Sequence, residues 1–350
     1  MKTKSLNFWK SKRVLITGHT GFKGSWLVLM LSYLGAEVYG VSREKKDGIY
    51  EKANVSGICS KENFTDISSK NYKDLEEIVY AIKPEVIFHF AAQSLVIKSY
   101  EDPADTIHTN IIGTYNVMEV SNNCKEIKSL VVATTDKVYK NPSEDNTEVS
   151  ELGGKDFYSA SKVSCEMIIQ AFIKASKRKD LAISIVRSGN VIGGGDRAEN
   201  RLVTDLVTSL LQNSEFNLRM PNSIRPWQYI LDSLYGYLLV AEKGLENNES
   251  EVFNLNSDKN NKFNAEDISK MMFKKWDAPL SNIKLENNKK EHEEVKTLKI
   301  NSSKAKLKLN WEPKYDLEKI VSEIVEWEKN YSVNTGPSFS ILQIEKYLEL

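Results

Sequence analysis

From residue 14 to about 190 the chain alternates two apolar patterns. Short runs rich in β-branched and aliphatic residues, "RVLITG", "EVYGVS", "NFTDI", "EVIFHFAA", "SLVVATT" and "AISIVRSGNV", read as strands. Longer stretches of helical period separate them. In "GFKGSWLVLMLSYLG" the residues Phe22, Trp26, Met30 and Tyr33 share one helix face, and Gly35 stands where helices commonly end. Strands that are apolar throughout and separated by helices require a sheet covered on both faces, so the predicted fold is α/β with a doubly wound parallel sheet.

After about residue 190 the pattern changes to a glycine-rich loop, "GNVIGGGD", followed by helices and few strands. The expected organisation is a sheet domain over residues 1–186 and a smaller, mainly helical part over 187–225 and 251–350. Residues 226–250, containing the helical stretch "WQYILDSLYGYLLVAEKG", are expected to pack back on the sheet. "ENNKKEHEEVK", residues 286–296, reads as a solvated loop, and the amphipathic "IVSEIVEWEKNY" and "FSILQIEKYLEL" read as helices packed on the body.

Charge narrows the classes of partner. Lys plus Arg and Asp plus Glu number 48 each, which removes the electrostatic reason to expect nucleic acid or an anionic membrane. No apolar run is long enough to span a bilayer, and "VLITG" after the basic start is too short for a signal peptide. Cys59, Cys124 and Cys165 are far apart with no Cys-x-x-Cys pair, so a cytoplasmic protein with reduced thiols is expected. The four histidines show no i, i+4 spacing, so no metal site is expected.

"TGHTGFKGSW" follows the first strand and opens the first helix, with Gly18, Gly21 and Gly24 three apart and Phe22 between them. The first glycine permits the tight turn, the second lets backbone approach a pyrophosphate, and the third allows close packing of helix on strand. A Rossmann-type dinucleotide site is predicted. The second strand ends "VSREKK" without the acidic residue that bonds an adenosine ribose, and Arg43 there suits a 2′-phosphate; these residues leave both NAD and NADP open. Asp66, followed by Ile67 at the third strand's end, is placed to accept from an adenine amino group, or simply starts a loop.

Two further motifs carry chemistry. In "YSASK", Tyr158 and Lys162 stand one helical turn apart, and an ammonium beside a phenol lowers the phenol's pKa towards the range of a useful base. Tyr315 and Lys319 repeat that spacing with no strand end or glycine loop beside them and read as surface helix. In "TTDKVY", Asp136 and Lys137 follow a buried apolar run directly. Adjacent strand residues point to opposite faces, so both reach one ligand only where the chain leaves the sheet, at the end where such folds bind ligands.

With "TGHTGFKG", "HFAAQS", "TTDKVY" and "YSASK" in this order, the chain resembles the extended short-chain dehydrogenase/reductases that modify nucleotide sugars. Through "GFKGSW", "TTDK", "LGG", "RSGNVIGGGD", "RPWQYILD" and "LNWEPKYDLEKIVSEIVEW" it is most similar to their CDP-glucose 4,6-dehydratase branch, over almost the whole chain. The resemblance implies oxidation of the hexose at C4 by NAD, loss of water across C5 and C6, and return of the hydride to C6. It implies a triad of Thr135, Tyr158 and Lys162, with Asp136 as the acid at the C6 oxygen and Lys137 as the base at C5. The smaller part would hold the nucleotide sugar, with Asn190, Arg201 and Arg225 at its diphosphate. Ala91, Ala92 and Gln93 would lie by the cofactor and Ser94 by the substrate, and a homodimer or homotetramer is expected, built on helices around 103–123 and 157–176. Lys98, Val138, Lys155 and Phe157 depart from the family's usual residues; Lys155 and Phe157, which flank the tyrosine, bear on substrate identity more than on reaction type. A nucleotide-sugar 4-epimerase would need no elimination acid and base, and a scaffold without catalysis would need none of the triad.

Overall fold

The computed structural model describes residues 7–70, 72–142, 145–257, 260, 262–285, 298–331 and 336–349. The loop predicted over 286–296 lies outside the described residues.

Seven parallel strands form one sheet: β1 (Arg13–Thr17), β2 (Glu37–Ser42), β3 (Lys61–Phe64), β4 (Val86–His89), β5 (Ser129–Ala133), β6 (Ala182–Ser188) and β7 (Val252–Leu255). Their spatial order is β7-β6-β5-β4-β1-β2-β3. The order reverses between β1 and β4, which opens a crevice beyond their C-terminal ends, the place where doubly wound folds bind ligands. Thr17 pairs with Val41 on one side and His89 on the other, so three strand ends meet at this crevice.

Each face of the sheet buries its own core. One face carries the helices α1 (Phe22–Tyr33), Ile230–Asn247 and Leu317–Tyr331, with Trp9, Trp26, Trp311 and Trp327 fully buried among them. The other packs Leu15, Ile87, Leu130 and Ile183 against α2 (Gly113–Asn123) and α3 (Phe157–Ala175). The predicted α1 face needs widening. Every residue from Gly24 to Leu31 is buried, because a second layer covers the helix.

The third strand sits earlier than "NFTDI" predicts, at Lys61–Phe64, and its outer flank is open to water. The seventh, Val252–Leu255, lies inside the stretch assigned from sequence to the smaller part, yet it pairs with β6 in the main sheet. Beyond the sheet, two short parallel pairs join Val191–Ile192 to Gln228–Tyr229 and Phe216–Leu218 to Ile283–Leu285.

The C-terminal helices lock the glycine-rich loop. Glu328 accepts from Gly195 N at 2.8 Å and pairs with Arg197 at 2.6 Å, while Trp26 Nε1 donates to Gly194 O at 3.0 Å. Tyr315 is not on a surface helix. It is buried, stacked on Tyr229 with ring centroids 5.2 Å apart, and it precedes the helix that carries Lys319. Among the described residues no helix is long and apolar enough to cross a membrane.

Candidate active site

The glycine loop has the geometry its spacing implies. Gly18 has φ +77°, and a Cβ there would lie 2.6 Å from Ala91 N; a Cβ on Gly24 would lie 2.2 Å from Gly18 O. Gly21 differs, since a Cβ there would meet only Gly18 O, at 3.3 Å. The space over Gly21 is therefore open to a ligand. Helix α1 also starts without a side-chain cap and without an acidic residue in its first turn. Unspent N–H groups at such a helix start suit a pyrophosphate, so Gly18, Gly21, Phe22 and Gly24 fit a dinucleotide.

Around this loop several predicted residues are committed to other partners. Arg43 Nη1 donates to Asp105 at 2.8 Å, and that partner holds its pKa above the ordinary value despite partial burial. That contact commits its Nη1 to a carboxylate. Asp66 Oδ1 accepts from the N–H and hydroxyl of Ser68 at 2.8 and 2.7 Å, the bonding of a loop-starting aspartate, with Ile67 buried beside it. Gln93 donates to Leu95 O and Thr106 and accepts from Leu95 N at 2.6 Å, so its side chain closes the loop after β4. Ala91 and Ala92, partly exposed, line the crevice floor where β4 ends.

His19 lies beneath the loop and hydrogen bonds with Ser42 and Glu62 at 2.9 and 3.0 Å. His19, Cys59 and Glu62 form the one group of metal-ligand type among the described residues. Glu62 also accepts from Tyr50 and Ser56, at 2.9 and 2.6 Å. Its oxygens are occupied, and the group reads as a brace that ties the loop to β3.

The chain leaves the sheet at Ala133 and turns through Asp136–Val138 in a single 3₁₀ turn capped by Thr135, whose Oγ1 accepts from Lys137 N at 3.3 Å. Helix α3 starts beside it. Asp156 and Ser159 cap its first turn reciprocally, which fixes where Tyr158 and Lys162 emerge. Both are buried, and Lys162 Nζ donates to Ala133 O at 3.1 Å.

Burial raises the Tyr158 phenol to about 12; Thr135, within hydrogen-bonding reach, and Arg201 work against this, while Asp136 adds to it. Burial likewise lowers Lys162. The expected lowering of the phenol by the lysine is therefore not what this arrangement produces: loss of water outweighs nearby charge, and the ammonium is spent on a carbonyl.

Asp136 is buried and Thr135 donates to its Oδ1 at 3.1 Å, whereas Oδ2 has no hydrogen-bond partner among the described residues. A Cβ on Gly189 would lie 3.2 Å from that oxygen, so the backbone after β6 closes over it. Burial raises its carboxyl above the ordinary value, opposed by Lys137, Thr135, Arg225 and Lys23. The structure thus gathers Thr135, Asp136, Lys137, Tyr158, Lys162 and Arg225 at one strand end. Arg225 is buried and its Nη1 donates to Ile224 O at 3.0 Å. Asn190 lies in the loop after β6, its carbonyl accepting from Gln228 N at 3.0 Å. Arg201 stands at the N-cap position of the helix Leu202–Gln212, and its half-exposed side chain bonds Asp196 and Ser94, at 2.8 and 3.2 Å.

Four residues of this region escaped the sequence reading. Asn110 sits in a π turn, His108–Ile112, where it bonds Gln93 backbone on both sides and Ser161 Oγ at 2.8 Å, tying the β4 loop to the helix of Tyr158. Its neighbours one turn away, Thr106 and Thr114, are polar as well, so no pattern in the sequence marks it. His89 hydrogen bonds with Thr17 and Thr114, and burial lowers it to about 3, so it is a neutral brace between β1 and α2. Lys23 and Tyr237 approach each other across the crevice, with Nζ 5.6 Å from the ring centroid.

A glycine loop at the switch point of a parallel sheet, with a Tyr-x-x-x-Lys helix at the end of β5, defines the short-chain dehydrogenase/reductase class in its extended form. The chain belongs to the GDP-mannose 4,6 dehydratase family, whose model matches residues 15–324. It is 36% identical over 335 residues to CDP-glucose 4,6-dehydratase of Salmonella typhimurium, covering 92% of each chain. Similarity to dTDP-glucose 4,6-dehydratase of Haemophilus influenzae is 26% over 360 residues, covering 93% and 99%. Among solved structures, dTDP-glucose 4,6-dehydratase of Bacillus anthracis in complex with NAD superposes with TM-score 0.76 at 26% identity, over 92% of this chain and 98% of that one. UDP-glucose 4-epimerase of Thermotoga maritima gives 0.79 at 25%, over 91% and 99%. Backbone similarity alone does not separate dehydratase from epimerase.

Proposed function

We propose that the chain is a nucleotide-sugar 4,6-dehydratase, acting on CDP-D-glucose to give CDP-4-dehydro-6-deoxy-D-glucose and water. One observation carries the reading: Asp136 is a buried carboxyl with a raised pKa and, among the described residues, an unpartnered oxygen, beside the tyrosine that would handle the C4 hydroxyl. A carboxyl held towards its protonated form can donate a proton to a departing oxygen. An epimerase has no such need. The nucleotide is chosen from the resemblance of "TTDK" and from the Salmonella relative, which shares more identity with this chain than the Haemophilus one.

NAD is the cofactor. The NAD complex of the Bacillus relative and the commitment of Arg43 to Asp105 both favour it over NADP. When bound it accepts hydride from C4 and returns it to C6. Tyr158 takes the C4 hydroxyl proton, with Thr135 beside it and Lys162 holding the strand end. Lys137 takes the C5 proton while Asp136 protonates the C6 oxygen. Arg225, Asn190 and Arg201 are read as the residues that hold the nucleotide's diphosphate, Arg201 being bonded to Ser94. On this division residues 1–186 and 226–250 hold the dinucleotide and the remainder holds the sugar nucleotide. The protein is placed in the cytoplasm, where its three free cysteines stay reduced.

Purified protein with NAD, incubated in D₂O with CDP-, dTDP-, GDP- and UDP-glucose, is expected to release one water from the CDP sugar and to carry deuterium at C5, read by mass spectrometry. Lys137→Met is expected to slow C5 exchange by about 10²–10⁴-fold, the usual worth of a positioned base. Release of water from none of the four would end the dehydratase reading; unchanged exchange in the variant would remove Lys137 from its role.

The chain is also read as a homodimer. Tyr100, Ile107, Tyr115, Phe157 and Met167 leave an apolar patch on the helices at 96–123 and 157–175, with Met167 58% exposed. Tyr100 and Phe157 already meet edge to face at 5.9 Å. Such patches on otherwise polar surfaces mark association sites. By light scattering, wild type is expected at twice the chain mass and Met167→Glu nearer one; a wild-type mass of one chain would remove the dimer.

A further inference from the structure

Lys23 belongs to the glycine loop by sequence, but its side chain leaves the loop and enters the site. The ammonium lies over the Tyr237 ring, and that ring packs edge-on against Phe90 with centroids 4.9 Å apart. Tyr237 OH is buried without a hydrogen-bond partner among the described residues, and it neighbours Tyr158. Three charged groups face the ammonium from three elements: Asp136 from the turn after β5, Lys162 from α3, and Arg201 from the start of the helix Leu202–Gln212. Asp136 is in turn faced by Lys137, by the Thr135 hydroxyl, by Arg225 and by Lys23.

We propose that Lys23 is a positioning residue for the elimination: acting through Asp136, it supplies the cation that stabilises the carboxylate left when the acid gives up its proton. This rests on the dehydratase reading above. In the step concerned, Lys137 takes the proton from C5, the C5–H electrons become the C5–C6 double bond, and the C6–O bond breaks. The oxygen leaves as water with the proton of Asp136, and Lys23 neither gains nor loses an atom.

The arrangement assigns this work to Lys23 over its neighbours. Lys162 is bonded to Ala133 O, Arg201 to Asp196 and Ser94, and Arg225 through Nη1 to Ile224 O. The Tyr237 face attracts a cation without neutralising it, so the charge stays available to Asp136. Burial first, then Arg201 and Lys162, lower Lys23 to about 7. It is thus protonated below neutrality and loses its charge as pH rises through that value. Support for Asp136 should fade over the same interval.

Lys23→Met and Lys23→Arg, made in the full-length chain loaded with NAD, test this with CDP-glucose in a rapid-mixing experiment that follows C4 oxidation and water loss separately. Lys23→Met is expected to slow water loss about tenfold to a hundredfold while oxidation stays within about twofold, so a 4-keto hexose that still carries its C6 hydroxyl accumulates. Without NAD, infrared titration of the Asp136 carboxyl, identified by subtracting the Asp136→Asn spectrum, should show its pKa raised in the Met variant. Lys23→Arg should restore most of the elimination rate and remove the decline above pH 7. Equal slowing of both steps, an unmoved carboxyl titration, or an Arg variant that declines as wild type does would each overturn the proposal. Failure of the dehydratase reading looks different, because wild type itself would then release no water.

Discussion

Glu166→Ala is expected to destabilise the protein by about 3–5 kcal/mol, the usual consequence of removing one partner from a buried ion pair. Glu166 is 0% and Arg187 1% exposed. The guanidinium meets the carboxylate through two nitrogens, Nε at 3.0 Å and Nη2 at 2.5 Å, a bidentate geometry. The same carboxylate accepts from Thr134 at 2.7 Å, and Arg187 Nη1 donates to Tyr139 OH at 2.8 Å. Thr134 and Tyr139 flank the turn that carries Asp136 and Lys137. The pair therefore clamps both ends of that turn from beneath, and its loss leaves a buried cation while freeing the turn. A urea midpoint that falls without a change in slope would report the stability loss. Glu166→Leu combined with Arg187→Met should recover much of it, since a well-packed apolar replacement avoids the unpaired charge. A loss below about 1 kcal/mol for Glu166→Ala, within the range of exposed pairs, would show that the pair is not holding the fold.

What was legible in the sequence followed from local order. Strands β1, β2, β4, β5 and β6 are interior or nearly so, and a strand buried on both faces must be apolar throughout, which is what the runs display. The edges were harder. β3 reads "KENF" and β7 "VFNL", and an edge strand is held by one neighbour, so composition constrains it less. The glycine loop and the Tyr-x-x-x-Lys helix were readable because their parts lie within one loop or one helical turn. Lys23 facing Tyr237, Asn110 facing Ser161 and Glu166 facing Arg187 were not readable. Each pair joins elements that meet only after the crossovers are made, and no spacing along the chain records them. Tyr315 shows the opposite error, since a Tyr-x-x-x-Lys spacing at a polar helix start gave no sign that three other tyrosines, Tyr229, Tyr235 and Tyr347, build the aromatic cluster into which it packs.

Tyr158→Phe is expected to slow C4 oxidation by about 10²–10⁴-fold, the contribution of a positioned proton acceptor, with little loss of stability because the ring remains. Its effect should depend on pH in a defined direction. A phenol held as high as about 12 is protonated at neutral pH. Only its small ionised fraction accepts a proton, so the oxidation rate in wild type should climb with pH. The phenylalanine ring of the variant carries no titrating group, and the slope should vanish there. Asp136 offers a second check, because in its ionised form its charge is one of the causes that raise the phenol. Asp136→Asn removes that charge and should shift the climb to lower pH, speeding C4 oxidation while elimination fails for want of its acid. Single-turnover measurement of oxidation across pH in the three proteins separates these effects. A flat wild-type profile would mean that the phenol is not the titrating base, and a climb left in place by Asp136→Asn would mean that the two groups do not share one field. If both shifts are found, the burial that keeps Asp136 towards its protonated form also restrains Tyr158, and oxidation and elimination are coupled through the same desolvated turn.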